Sequence, residues 1–382
     1  MWYNKLVDFC SGGRNGRMRI QALQLRNFRN YTALAMEPDE GLCVLTGENA
    51  AGKTNVLESI FLSALGRSHR TMRDAELIRS GAEAGSIKLT LDTRGGTRTI
   101  ECRLIANERK RLTIDGAPLA RSGELLGCLN VVMFAPEDLI LVKGGPAERR
   151  RFLDMEISQL KPAYYYTLQR YNAALKQRNA LLKDPDAVYA GMIEPWDEQL
   201  SRLGAAITVE RAAFLQELSA IAADLHLQLS DHRETLLLAY QPNLPDADAE
   251  QLARAMRERL AENLERDLYR GFTSVGPHRD DVLMMLDGTD VRVYGSQGQQ
   301  RTTVLSLKLS EIEIVKKLRG EAPVLLLDDV FSELDRRRQQ MLLATVQGCQ
   351  TFLTCTHLEE LTAAGAERMQ VYSVKDGRVI EV

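Results

Sequence analysis

The sequence predicts an α/β protein in which one domain is assembled from both ends of the chain and is interrupted by an inserted helical arm. Residues 18–150 and 272–382 contain short apolar or alternating segments, as strands do. Residues 151–271 follow an almost continuous helical pattern. A glycine-rich loop near the N-terminus lies between an apolar strand and an amphipathic helix.

The bulk composition is that of an ordinary globular protein. The chain has 382 residues, of which 45% are hydrophobic and 26% charged, and its net charge is -3. Any nucleic-acid binding must therefore rely on local basic patches and not on the overall field. No apolar run approaches the roughly 18 residues that a membrane span needs, and the N-terminus lacks the apolar segment of a secretory signal. We expect a cytoplasmic protein with no membrane partner, whose residues 1–17 form a disordered extension.

Strand patterns in the first part of the sequence predict the N-terminal half of the α/β domain. Arg19–Leu25 alternates apolar and polar residues, and Gly41–Thr46 is an apolar run that leads into the glycine loop. Ile87–Leu91 and Thr99–Leu104 form a predicted hairpin. These segments predict strands both before and after the glycine loop in the sequence.

The middle of the chain is predicted to be almost entirely helical. Apolar residues recur every three, four or seven positions from Trp196 to Leu225, which predicts one long amphipathic helix. Further stripes cover 168–182 and 252–268. The lengths indicate a compact hairpin or small bundle and not an extended coiled coil.

Strands return in the C-terminal part. Val282–Leu286 and Val291–Tyr294 are predicted to be two strands around a turn, followed by a helix over about 300–318. Val324–Leu327 and Thr351–Cys355 are the most apolar strands of this part.

The glycine loop has the pattern G-x-x-x-x-G-K-[ST], whose backbone N–H groups and following helix surround nucleotide phosphates. Lys53 is expected to bridge the β- and γ-phosphates of ATP, and Thr54 to hold Mg²⁺. The predicted cofactor-binding residues of the loop are Gly47, Glu48, Asn49, Ala50, Ala51, Gly52, Lys53 and Thr54.

An apolar strand that ends in two carboxylates is a candidate for the second half of this site. Asp328 and Asp329 follow Val324–Leu327. Alone, this pattern also fits a strand that ends in a polar turn. In a chain with a phosphate-binding loop, Asp328 is expected to position Mg²⁺ and Asp329 to orient or deprotonate the attacking water.

Three more segments stand in the order that ABC-type ATPases use, one of them before the two aspartates and two after them. Ser296-Gln297-Gly298-Gln299-Gln300 precedes a helix at the place of a signature motif, although Ser296 also fits a simple helix cap. Ser332–Asp335 stands where a D-loop is found. Thr356-His357 follows the next apolar strand, where such ATPases carry a switch histidine.

Together these motifs resemble the ATPase heads of the SMC-like family, and most closely those of the RecF family. The resemblance covers Met18 to Val382. Further segments that carry it are Leu25–Tyr31, Gly66–Thr71, Phe134–Leu139, Val142–Pro146, Arg149–Asp154 and Ser274–Asp281.

The resemblance implies a P-loop ABC-type ATPase head with mixed sheets and flanking helices. It implies a slow ATPase that forms an ATP-dependent homodimer on single-stranded, gapped or junction DNA. It also implies work with RecO and RecR in loading RecA during gap repair, replication restart and SOS induction.

The resemblance also assigns roles to individual residues. Each ATP is shared between two copies of the chain, so Ser296, Gln297 and Gly298 act on the nucleotide of the partner copy. Arg70 is expected near the phosphates, where it would stabilise transition-state charge. Asn27 and Arg29 are expected near the base or ribose. His357 completes the predicted catalytic group with Asp329, Lys53 and Ser296.

The sequence departs from the broader ABC pattern in two places. The second carboxylate is Asp329 instead of the usual glutamate, and its shorter side chain predicts slow turnover. No clear Q-loop glutamine is present, and either Glu137 or Asp138 replaces it near the metal, or nothing does.

DNA contacts and rival functions are less sharply indicated. Candidate phosphate contacts are 109–111, 149–151 and 336–338, and Tyr164–Tyr166 are candidates for base stacking, although each set also fits a solvated or packed surface. His278 is interpreted as structural. An ABC transporter subunit, an SMC-like chromosome-structuring ATPase and a P-loop kinase are the alternatives.

Overall fold

The computed structural model describes residues 18–189, 191–245, 247–366 and 368–382. The extension predicted for residues 1–17 lies outside the described residues. The chain divides into two compact units. The first unit contains the described residues up to Asp138 together with Glu311–Val382, and the second unit is Leu139–Ser310. The domain boundaries drawn from the sequence, at residues 150 and 271, stay a prediction.

The N-terminal part of the first unit is mostly strands. An antiparallel sheet has the order β2-β1-β4-β5-β6-β7. Short 3₁₀ helices cover Asp74–Leu77, Ser122–Leu125 and Pro136–Leu139. The elements are β1 (Arg19–Phe28), β2 (Tyr31–Met36), β3 (Leu42–Thr46), α1 (Lys53–Leu65), β4 (Ala84–Thr93), β5 (Gly96–Ile105), β6 (Arg111–Ile114), β7 (Ala117–Pro118) and β8 (Val131–Phe134). The hairpin predicted from residues 87–104 is confirmed as β4 and β5.

The second unit is mainly helical. Its elements are α2 (Ile140–Lys143), α3 (Pro146–Leu160), α4 (Pro162–Leu181), α5 (Pro185–Tyr189), α6 (Glu194–Leu229), β9 (Leu236–Gln241), α7 (Ala249–Glu262), α8 (Leu264–Arg270), a 3₁₀ helix (Pro277–Arg279), β10 (Asp281–Leu286), β11 (Thr289–Asp290), α9 (Val291–Tyr294) and the beginning of α10 (Gln297–Arg319). The residues of α10 from Glu311 onward belong to the first unit. The predicted long helix is confirmed as α6, which has 36 residues.

The middle of the chain is almost entirely helical, as predicted, and the described residues of 151–271 contain one strand, β9, which pairs antiparallel with β10. The run Leu236–Tyr240 in β9 is short and apolar, and such a run fits a helix as well as a strand until a partner strand decides. The strand predicted at Val291–Tyr294 is wrong, because these residues form a single helical turn. The Asp290 side chain caps this turn by accepting a hydrogen bond from the backbone N–H of Arg292.

The C-terminal part completes the first unit. Its elements are β12 (Val324–Asp328), a 3₁₀ helix (Phe331–Glu333), α11 (Arg336–Val346), β13 (Thr351–Cys355), α12 (Glu359–Ala364), β14 (Met369–Lys375) and β15 (Arg378–Glu381). They form a second sheet with the order β15-β14-β3-β13-β12-β8. All its pairs are parallel except β14 with β15. Strand β3 comes from the other end of the chain, which confirms the prediction of an α/β domain with mixed sheets built from both ends.

The parallel sheet determines where a ligand site can form. Every residue of β8, β12 and β13 is buried. Parallel strands covered on both faces are built from such continuous apolar runs. Their carboxyl ends lie at one edge of the sheet, where ligands of open α/β sheets bind. The glycine loop follows β3, and Asp328 ends β12 at that same edge.

One buried glutamine joins the two sheets of the first unit. Gln350, only 4% exposed, precedes β13. Its Oε1 accepts a hydrogen bond from Ile20 N at 2.7 Å. Its Nε2 donates to the carbonyl oxygens of Ile20 at 2.9 Å and Asp39 at 2.8 Å. The side chain thereby bonds to backbone groups of β1 and of the segment that precedes β3.

Replacing Gln350 with leucine should destabilise the protein. Gln350→Leu introduces an apolar side chain of similar size and leaves buried backbone groups without partners, which costs about 2 to 4 kcal/mol. Urea unfolding followed by circular dichroism measures the loss. Gln24→Leu, at an exposed position of β1, is the matched control and should change the free energy of unfolding little. Equal stabilities of the two variants would contradict the role of Gln350.

Candidate nucleotide-binding site

The glycine loop is held closed by the turn between β1 and β2. Asn30 Nδ2 donates to the carbonyl oxygen of Ala51 at 2.8 Å, and Tyr31 Oη donates to that of Gly52 at 3.0 Å. Gly52 has φ +117°, and a Cβ there would lie 2.5 Å from Asn30 Nδ2 and 2.9 Å from Tyr31 Oη. Only glycine combines this backbone conformation with this close approach.

The start of helix α1 offers an anion site. No side chain caps it, and its first turn contains no acidic residue, so the positive end of the helix dipole and its free N–H groups are not neutralised by the protein. Lys53 Nζ lies against the loop and donates to the carbonyl oxygens of Gly47 at 2.6 Å and Glu48 at 3.0 Å. Charged phosphate oxygens are stronger acceptors than carbonyls and would compete for this ammonium.

A buried carboxylate joins the loop to the sheet. The hydroxyls of Thr54 and Thr354 both donate to Asp328 Oδ1 at 2.8 Å. Burial raises the pKa of Asp328, and the charges of Glu137 and Asp329 add to this increase, whereas the two hydroxyls oppose it. A divalent cation would relieve the crowding of negative charge.

The donor set fits Mg²⁺ better than a metal bound by protein alone. In the described part of the chain, no cluster of three or more His, Cys, Asp or Glu side chains is arranged to hold a metal. Mg²⁺ is typically held by one or two carboxylates plus substrate phosphates and water. The Thr54 hydroxyl and the Asp328 carboxylate supply such a partial set.

Asp329 has an unusual backbone conformation with φ +50°, which aspartate tolerates better than most residues. Its backbone N–H donates to Thr354 Oγ1 at 2.9 Å, and its carbonyl accepts from Ser332 Oγ at 2.9 Å. Asp329 borders a cavity of about 340 Å³. The cavity is lined by Asn49, Ala50, Gly52, Lys53, Thr54, Asn55, Arg70, Asp328, Asp329 and Thr354. The structure therefore brings the glycine loop and both predicted aspartates together.

A second, more open cavity of about 670 Å³ shares Asn55 and Arg70 with the first. Arg29 also lines the second cavity and donates two hydrogen bonds to Glu58. Asn27 lines neither cavity. Its carbonyl accepts from the backbone N–H of Arg79 at 2.9 Å, so the structure gives it a role in chain geometry.

The predicted signature segment lies in the second unit at the start of α10. Ser296 N donates to Gln299 Oε1 at 2.8 Å, and Ser296 Oγ accepts from Gln299 N at 3.2 Å. This reciprocal pair is a capping box, so the helix-cap interpretation of Ser296 is confirmed. Ser296, Gln297 and Gly298 are all exposed, and a cap in this position leaves the segment accessible to another molecule.

The remaining predicted site residues are His357, Asp138 and Glu137. His357 follows β13, is exposed and is not among the residues that line the cavity. Asp138 accepts a hydrogen bond from Ala135 N at 2.8 Å, which ties it to the local turn. Glu137 is exposed and close enough to influence the pKa of Asp328. Whether Glu137, Asp138 or neither residue replaces the Q-loop glutamine stays a prediction.

Two of the candidate DNA contacts are not available at the surface. Arg149, 4% exposed, forms a bidentate pair with Asp281 at 2.6 and 3.0 Å. Tyr164, 3% exposed, donates a hydrogen bond to Asp154. The prediction that these two residues contact DNA is wrong, because both side chains are packed inside the second unit. Arg151 is exposed and remains a candidate.

Sequence reasoning missed four residues that shape this site: Asn30, Tyr31, Glu58 and Thr354. The segment Leu25–Tyr31 carried a signal for the first two, since it was already part of the family resemblance. Glu58 and Thr354 lie in apolar segments, where a lone polar residue has no pattern that reveals its partner.

Comparisons with known proteins agree with this geometry. The family model described as the RecF/RecN/SMC N terminal domain matches residues 19–380. The DNA replication and repair protein RecF of Lachnoclostridium phytofermentans is 43% identical over 369 residues, which cover 95% of this chain and 99% of the relative. That of Alkaliphilus oremlandii is 44% identical over 95% of this chain and 100% of the relative. The chain belongs to the RecF family.

Solved structures of the RecF family have the same fold. The structure described as the recombination mediator protein RecF-ATPrS in the RecFOR pathway has a TM-score of 0.90 at 34% identity, and covers 96% of this chain and 99% of that chain. The Smc head domain of Pyrococcus furiosus has a TM-score of 0.57 at 16% identity, which shows a shared fold alone. Among the described residues, no helix is long and apolar enough to cross a membrane.

Loss of the Thr354 hydroxyl should weaken the part of this RecF-family site that is built around Asp328. Thr354→Val keeps the shape but removes a donor to Asp328 and the acceptor for Asp329 N. Losing such a supporting partner typically lowers metal affinity or activity about 10- to 100-fold. ATP hydrolysis measured across a Mg²⁺ titration should show a lower rate and a higher Mg²⁺ requirement. Thr354→Ser retains the hydroxyl and should stay close to wild type. A valine variant that matches the serine variant would refute this role.

Proposed function

We propose that this chain is a DNA-binding ATPase of recombinational repair that binds ATP and Mg²⁺ and dimerises on DNA while ATP is bound. The observation that carries the proposal is the meeting of the glycine loop, Asp328 and Asp329 at one cavity. ATP complexes of related RecF proteins support ATP as the nucleotide.

Each group at the cavity has a role in this proposal. The backbone N–H groups of the loop and Lys53 bind the phosphates. Thr54 and Asp328 hold Mg²⁺, which neutralises phosphate charge when bound. Asp329 orients the attacking water, and Arg70, whose side chain lies at the same cavity, stabilises charge in the transition state.

Hydrolysis is proposed to be slow and to control release from DNA. Asp329 has one methylene less than the glutamate usual at this position, so its carboxylate reaches less far toward the γ-phosphate. Its backbone is held by Thr354 and Ser332, which limits how far it can move to compensate. A longer-lived ATP state suits a protein that uses ATP as a clamp on DNA.

The second half of each ATP site is proposed to come from another copy of the chain. Ser296, Gln297 and Gly298 are exposed at the N-terminus of a 23-residue helix, where backbone N–H groups and the helix dipole attract an anion. Such a segment suits binding to the γ-phosphate of ATP held by the partner. His357, exposed at the edge of the sheet, is proposed to act at the same junction.

DNA, RecO and RecR are the proposed partners. The related proteins are named for DNA replication and repair and for the RecFOR pathway. We propose single-stranded and gapped duplex DNA as the nucleic acid, and loading of RecA at gaps and during the SOS response as the outcome.

ATP-dependent binding to gapped DNA tests the proposed function. The wild-type protein should bind a fluorescent gapped duplex more tightly with ATP than with ADP, because only ATP closes the dimer. Lys53→Arg keeps the charge but not the geometry of the ammonium and should lose most of this dependence. Fluorescence anisotropy measures the affinity, and gel filtration with each nucleotide measures dimerisation. Equal binding with ATP, with ADP and without nucleotide would refute the proposal.

Mixing two inactive variants tests whether the ATP site is shared. Lys53→Ala removes the phosphate-binding ammonium, and Ser296→Arg blocks the signature segment. In a mixed dimer, one site combines the intact loop of the Ser296→Arg chain with the intact Ser296 of the Lys53→Ala chain. The mixture should therefore hydrolyse ATP although neither variant does so alone. If the two variants form mixed dimers with ATP and mixing still restores no hydrolysis, the site is not shared.

A further inference from the structure

A buried carboxylate beside the nucleotide site has no role in the scheme above. Glu58 lies on helix α1, one turn after Thr54, and its side chain is 0% exposed. Burying a charge is costly unless it is paired and hydrogen-bonded. The residues that pair with the Glu58 carboxylate therefore indicate its role.

Two arginines and one serine converge on Glu58. Arg29 binds it through two hydrogen bonds, Nε to Oε2 at 2.8 Å and Nη2 to Oε1 at 2.7 Å. Ser68 Oγ donates to Oε1 at 2.5 Å, and Arg70 Nη1 lies 3.7 Å from Oε2. Burial alone would raise the pKa of Glu58, but the bonds and charges of these residues lower it overall. Glu58 is therefore ionised at neutral pH.

The same carboxylate organises the loop that carries Arg70. The Ser68 hydroxyl that donates to Glu58 also accepts hydrogen bonds from the backbone N–H groups of Arg70 at 2.9 Å and Thr71 at 3.1 Å. The Arg70 guanidinium is further held by Asn55 Oδ1 at 3.0 Å. The Arg70 backbone is thus oriented by Glu58 through Ser68, and the Arg70 guanidinium is held by Asn55 and lies 3.7 Å from Glu58.

The charges in this cluster do not cancel. Arg29 and Arg70 contribute two positive charges, whereas Glu58 contributes one negative charge. Arg29 takes both carboxylate oxygens at hydrogen-bond distance, whereas Arg70 remains at 3.7 Å with 46% of its side chain exposed. The excess positive charge therefore resides on Arg70, which lines the cavity of the glycine loop.

We propose that Glu58 is a positioning residue for ATP hydrolysis, which holds Arg70 at the cavity so that its guanidinium meets the phosphates already in place. This inference rests on the proposed ATPase function. Without the charge of Glu58, two neighbouring guanidiniums would repel each other and Arg70 would have to be ordered in each reaction cycle. Preorganised charge is worth more in catalysis than charge that must be reoriented.

A double-mutant cycle between Glu58 and Arg70 tests the proposal. Glu58→Gln keeps the shape and removes the charge. It should lower kcat for ATP hydrolysis about 10-fold, the size typical for a supporting residue, with a smaller change in KM. Glu58→Asp keeps the charge and should recover part of the loss. In an Arg70→Ala background, Glu58→Gln should cause no further loss, because residues that act through one another are not additive.

The control and the contrary outcomes separate this role from a structural one. Glu83→Gln removes an exposed carboxylate from the same unit and should leave kcat unchanged. If Glu58→Gln fails to fold, Ser68→Ala takes its place in the cycle, since it removes one donor to Glu58 and the anchor of the Arg70 backbone. An equal fold loss in both backgrounds would overturn the proposal while leaving the proposed function intact. A wild-type protein that binds no ATP would overturn both.

Discussion

The carboxylate of Asp328 is the point on which the site depends. Its Oδ1 receives one hydroxyl from a residue 274 positions away and another from a residue 26 positions away. Because a buried carboxylate requires such partners, the start of α1 and the ends of β12 and β13 must meet there. The glycine loop is then confined between this junction and the turn of Asn30 and Tyr31, which leaves a cavity bordered by backbone N–H groups, hydroxyls and carboxylates.

The order of strands in the parallel sheet likewise requires distant segments of the first unit to come together. Strand β3 lies between β13 and β14, so a strand from before the second unit pairs with strands that follow it. The sheet, and with it the nucleotide cavity, cannot form from either end of the chain alone. Pairing of distant segments requires the chain to lose conformational entropy before the contacts between these segments stabilise it. Gln350 reinforces the arrangement by satisfying backbone groups of β1 from the other end of the sequence.

The charges around the cavity are divided into two groups that suit different parts of one ligand. Asp328, Asp329 and Glu137 crowd negative charge near the end of β12, which contributes to the raised pKa of Asp328. Lys53 and Arg70 bring positive charge to the same cavity. A magnesium nucleotide carries a cation and an anion and so complements both groups of charges. The metal ion alone or the nucleotide alone would complement only one of them. Glu58 belongs to this division because it balances Arg29 and leaves Arg70 available.

The sequence by itself determined the features that depend on local pattern. A glycine loop between an apolar strand and a helix, and an apolar strand that ends in two aspartates, are encoded within short segments, and both were found where predicted. Only the tertiary structure decided which polar side chains serve them. Glu58 and Thr354 acquire their partners, and Arg149 is withdrawn from the surface, through contacts between segments that are separate in the sequence. Local pattern records whether a residue prefers burial, but not which distant group will satisfy it, because that choice is made by packing.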